Sequence, residues 1–226
     1  MTLTKPAFNI LIPFVMVLFC SCSASKRIDR LVASQYNNQL PVRDKKNEPA
    51  ITIRSSAENP FSSISLTETK TSHMLPLVLY WQWDYKNTCT LNTAIPVSIF
   101  TKTMNLQFAR RLLQKLDGQQ LELTIEEMPK RFAYDDKAHL IFLLYAIQWD
   151  KISVQPENGN LVVSYKTLQN GQVLKTGKIE IQNHERDRGL RFFQSWKSAI
   201  SEYLADYNAN MTLLTRDFGN RLLEEL

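Results

Sequence analysis

The chain has 226 residues, a formal net charge of +5 and 44% apolar residues, with three cysteines and six glycines. That apolar fraction is enough to bury a core at this length, which excludes fibrous, low-complexity and wholly disordered classes. No glycine-rich phosphate loop or dinucleotide fingerprint occurs, and the mild positive charge contains no Lys/Arg block of the length that marks nucleic-acid binding.

Lys5 is the only charge before an apolar run, Ile10–Phe19, interrupted by Pro13. Ten helical residues rise about 15 Å, half of the roughly 30 Å hydrocarbon core, so the run is too short to span a membrane. A charged start, a short apolar centre and small residues after it compose a secretory signal peptide. The sequence then reads Phe19-Cys20-Ser21-Cys22, which resembles the lipobox of bacterial lipoproteins. Ser21 supplies the small residue before Cys22, whereas Phe19 before Cys20 is too large. The resemblance implies cleavage after residue 21, lipid on Cys22 and, because Ser23 and not Asp follows, an outer-membrane anchor facing the periplasm. An ordinary signal peptide cut after Ala24 is the alternative. Cys20 would leave with the signal and Cys22 would be acylated. Cys89 then stands alone, as a packed thiol with no disulfide partner.

Residues 22–72 read as the acylated cysteine and a polar, largely flexible tether, with helical spacing only at Ile28, Leu31 and Val32. Fifty residues of coil would reach on the order of 40 Å from the bilayer. Weak strand signals at Ala50–Arg54 and Ser63–Leu66 place the domain start between about residue 50 and residue 73. From Met74, Leu75, Leu77, Leu79, Trp81, Trp83 and Tyr85 alternate along one predicted strand. Ile95–Phe100 is a short apolar strand candidate. Met104, Phe108, Leu112 and Leu116 predict a helix ending at Gly118, and Leu121, Leu123 and Ile125 a half-buried strand. His139–Ile147, apolar on both faces, reads as a central strand. Asn158-Gly159 and Asn170-Gly171 suit type I′ turns, giving three consecutive antiparallel strands. A stripe from Leu190 to Leu222 predicts terminal helices with a break near Asn208–Asn210. The sum is a single α+β domain over 73–226: a mainly antiparallel sheet with a three-stranded meander, packed by one internal helix and carboxyl-terminal helices.

Few residues invite chemistry. His73, His139 and His184 are scattered without metal-ligand spacing, and no Gly-x-Ser-x-Gly elbow is present. Glu126-Glu127 and Glu224-Glu225 read as solvated charge, and Asp135-Asp136 as loop. Neither catalytic residues nor a metal or cofactor are expected. Tyr80-Trp-Gln-Trp-Asp-Tyr85 is the unusual stretch: Trp81 and Trp83 continue the leucine face and read first as core. Placed past the sheet edge, they and Tyr85 would instead offer a platform for a lipid, peptide or glycan.

An acylated cysteine, a polar tether, strand–helix–strand, an antiparallel meander and a terminal helix together resemble the YajG-type and transporter-auxiliary envelope lipoproteins. The resemblance covers element order from about Met74 to Leu226. It implies a non-enzymatic accessory or assembly protein that binds envelope proteins, held to the membrane through Cys22, with no nucleic-acid partner. A ligand-binding lipoprotein working through Trp81 and Trp83 is the alternative.

Overall fold

The computed structural model describes residues 25–41, 50–56, 61–142, 146–157, 159–184, 188–189 and 194–226. The expected signal peptide and Cys22 lie outside them. The architecture is α+β, with antiparallel pairing dominant. One sheet orders its strands β1 (Ile51–Ser55), β4 (Gln120–Glu127), β7 (Leu161–Gln169) and β8 (Gln172–Ile181). The other runs β2 (Ser65–Pro76), β3 (Tyr80–Leu91), β5 (Arg131–Phe142), β6 (Ala146–Pro156) and the two-residue β9 (Arg188–Gly189). Helices α1 (residues 25–35), α2 (Ala94–Gln107), α3 (Ala109–Leu116) and α4 (Trp196–Glu225) complete the fold.

Alternation explains β4, where Leu121, Leu123 and Ile125 are wholly buried and the residues between them are not. Asn170 and Gly171 both have positive φ and close the two-residue β7–β8 hairpin, with Gln169 opposite Gln172. Of the three consecutive antiparallel strands expected between His139 and Ile181, the last two pair as β7 and β8; the His139–Ile147 stretch belongs to the other sheet, and β4, distant in the chain, lies beside β7 in its place. After β6 the chain changes sheets, so Gly159 serves no hairpin and its φ is not positive.

Several sequence expectations give way. Ile95–Phe100 is helix, not strand: Asn92 Oδ1 accepts the Ala94 N–H, and Pro96 sits in the first turn, where no intrahelical donor is needed. α4 runs unbroken through Asn208–Asn210. Asn208 Oδ1 accepts from Tyr36 Oη, and Asn210 donates to Asn183, so these amides serve tertiary contacts and do not interrupt the helix. The stripe Ile200, Tyr203, Leu204, Tyr207, Met211, Leu214, Phe218 and Leu222 is buried throughout. Tyr203 packs against Phe132, Phe218 against Phe100, and Tyr207 Oη donates to the Pro129 carbonyl at 2.8 Å.

The body also begins earlier than the expected tether allows. α1 buries Ile28 and Val32 in the core, and β1 pairs in parallel with β4. Asp29 fastens α1 to β2: it accepts from the hydroxyls of Ser65 and Thr67, each at 2.7 Å, and from the Thr67 N–H at 3.3 Å. α1 ends where Asn37 turns left-handed and the Asn38 N–H reaches back to the Ala33 carbonyl. Asp29→Ala should cost about 1–3 kcal/mol of unfolding free energy. It should also speed tryptic cleavage after Arg30 in the folded protein, and an unchanged cleavage rate would show that Asp29 is not what holds α1.

Candidate binding surface

The strands of the second sheet are longer than the core that covers them. On the face carrying Cys89, Leu91, Phe132, Tyr134 and Val154, burial is complete near the chain's helices. Further along β3 the same face carries Tyr85 and Trp83, half-buried, and then Trp81, 36% exposed. β2 and β3 reverse at 77–79, and β5 pairs back onto β6 with Phe142 opposite Ala146. Both single strands read from the sequence, Leu75–Tyr85 and His139–Ile147, are thus hairpin ends. Residues 143–145 lie outside the described residues. Nothing in Leu77-Val78-Leu79 carries the Gly/Asn chemistry of a tight turn, so hydrophobic alternation reads straight through it.

Four strands therefore project as a blade whose end is apolar. Leu75, Leu77, Leu79, Phe142, Ile147 and Trp149 are exposed there, and Val78 at the tip is 94% exposed. Met74 on β2 adjoins this end; the other large exposed apolar side chains among the described residues are Leu66 near the start of β2, Leu106 and Leu213 on helices, and Val173 and Leu174 on β8. A continuous apolar end of this kind marks an interaction site far more often than scattered leucines do. Trp81 meets Trp83 and Phe142 edge-on at 6.0 and 6.1 Å on one face. On the opposite face His139 stacks between Tyr80 and Trp149, at 6.0 and 5.1 Å. Tyr80 Oη donates to Gln82 and lies 2.7 Å from His139 Nδ1, while Gln82 donates to Asp84 at 2.9 Å. Of the sequence-predicted surface residues, Trp81, Trp83 and Tyr85 share one face, and Trp81 is not the core residue that the leucine pattern suggests. Phe142, Ile147, Trp149 and Val78 were missed; their signal was the absence of charge from Met74–Trp83 and Ala138–Trp149.

Elsewhere the groups are structural. Cys89 is buried, and desolvation pushes its thiol up to about 12. His184 is exposed, and nothing among the described residues groups three potential metal ligands. Asp135 and Asp136 lie within β5 and not in a loop. Glu126 pairs with Lys178 at 2.7 Å, and Glu225 accepts from Tyr165. A cleft of about 690 Å³ opens between the end of α1, α2 and α4. Its lining is amide-rich, with Lys102 the one charged side chain among the described lining residues.

Comparison of the chain with protein-family models, with curated proteins and with solved structures returns no match. Function is accordingly argued from the chemistry of the surface itself.

At the base of the blade, Asp136 is half-buried and accepts from Tyr134 Oη at 3.2 Å. Burial, and next the charge of Asp150, push its carboxyl above the ordinary range. A folded-state value raised above the unfolded one destabilises the native state as pH climbs from the unfolded value through the folded one. Asp136→Asn should therefore resist urea better than wild type at pH 7, with the gain vanishing below about pH 4, near the ordinary carboxylate value. Urea midpoints at both pH values check this; an equal gain at both would exclude relief of the buried charge as the cause.

Proposed function

We propose that this chain is a cell-envelope lipoprotein, anchored by acyl chains on Cys22, that acts as a non-enzymatic accessory protein and binds another envelope component through the blade. The observation that carries the reading is the exposed, uncharged apolar end shared by the two hairpins. Each large apolar side chain covered there contributes about 1.5–3 kcal/mol of transfer free energy, so covering a handful suffices for a stable contact. The polar groups of the blade are engaged with one another: Tyr80, Gln82, Asp84 and His139 form a single hydrogen-bonded row. That arrangement supports a surface that holds more readily than one that reacts, since a general base must face the proton it takes.

Both halves can be tested in intact cells. Alkyne fatty acid should label the wild type and leave Cys22→Ala unlabelled; equal labelling would reject the anchor. A photo-reactive residue introduced at Val78 should form an adduct that the same residue at Leu213, exposed on α4 away from the blade, does not. Equal yield at the two positions would reject the blade as the working surface.

A further inference from the structure

We infer that the occupant of the blade is the interfacial layer of a lipid bilayer, so that the protein holds its membrane twice, by lipid on Cys22 and by protein at the hairpin ends. This rests on the reading of Cys22 as anchor and of the blade as working surface.

The side chains are ordered by depth. Val78 and its leucine neighbours lie outermost. Tyr80, Trp81 and Trp149 come next; the first charge, Asp150, lies one row behind, level with Trp83 and Ala138, and Asp84, Lys137 and Lys151 follow it in one cross-strand row. Aliphatic side chains in front, aromatic rings behind them and charges last is the order that a membrane interface selects. From the Asp150 row, at Trp83, to Tyr80 the strand advances about 10 Å.

The blade is also apolar on both faces, with Trp81 and Phe142 on one and Trp149 on the other. A flat protein partner would cover one face and leave the other in water, whereas lipid surrounds a projection on every side. Depth is limited by backbone chemistry. Among the described residues β2 pairs only with β3, and β6 meets β9 only at Ser153 and Val154, so the distal strand edges are open there. Open edges cannot enter hydrocarbon without unsatisfied backbone groups. Only the turn residues go below the headgroups, and the rings stay among them. The charged row behind is mixed in sign, with Asp84 opposite Lys137 and Lys137 opposite Lys151. Insertion is accordingly driven by apolar contact and does not require anionic lipid.

The test uses the acylated full chain reconstituted in phosphatidylcholine vesicles whose acyl chains carry bromine near the headgroup end. Tryptophan emission should fall to half or less of its value in unbrominated vesicles. It should be unchanged between 0.1 M and 1 M salt, which screens charge contacts but not apolar ones. Val78→Asp should weaken the quenching at least twofold while the protein still floats with the vesicles. A variant with Trp81, Trp83 and Trp149 all changed to Phe, which retains Trp196 against the core, should not be quenched. Protein that floats unquenched would overturn the proposal and assign the blade to a protein partner or a second copy, leaving the anchor intact. Protein that does not float would overturn the anchor and this proposal together.

Discussion

A twelve-residue strand reaches about 40 Å, and β2, β3 and β5 each have that length. The layer that covers them does not extend so far. Helix α4 places Tyr203 and Tyr207 over the β5 end of the sheet, where Phe132 and the Pro129 carbonyl receive them. Asn87 is the last buried residue of β3 on the way to the tip. Beyond it the backbone stays paired because four strands hydrogen-bond to one another, and three or more strands are what an uncovered ribbon needs to persist. The excess of strand over cover creates the blade. It also leaves Trp81 with neighbours on its own face and no opposing layer.

Much of the fold could be read locally, and the failures share a cause. β4 and the Asn170-Gly171 hairpin are specified by period-two burial and by left-handed turn residues, signals contained within a few positions. The hairpin ends carry no such signal. Leu77-Val78-Leu79 continues the alternation of Leu75 and Trp81, so a strand that folds back reads as one that goes on. Apolar residues are read as buried because they usually are, yet an exposed apolar surface is written in the same letters. Charge discriminates better: β4 alternates Leu with Glu and Thr, whereas Met74–Trp83 has no ionised side chain on either face. A stretch that never declares a solvent face is either wholly buried or meant for something other than water.

The amino-terminal segment failed differently. α1 has too few apolar residues to read as core, and its fixation depends on Asp29, an acid that meets Ser65 and Thr67 more than thirty positions away. No sequence window contains that clamp. Its consequence for an anchored protein is geometric. Three backbone steps separate Cys22 from Ser25, the first residue of α1, a reach of at most about 11 Å. An acyl group on Cys22 would hold the body against the bilayer, in place of the 40 Å of slack that a flexible tether would give.

The two proposed points of attachment would constrain each other. From Thr67, where Asp29 grips β2, the strand runs about 33 Å to the turn at Leu77. The path from Cys22 to Asp29 adds one helical turn to the extended residues, on the order of 17 Å in all. If the tip enters the headgroup layer while Asp29 stays within that reach of the surface, the blade must lie inclined and cannot stand upright on the membrane. An inclined blade sets one of its two aromatic faces deeper in the lipid than the other, either Trp81 with Phe142 or His139 with Trp149. Quenching of the two rings would then be unequal, and the deeper ring would identify the face that the anchor turns down.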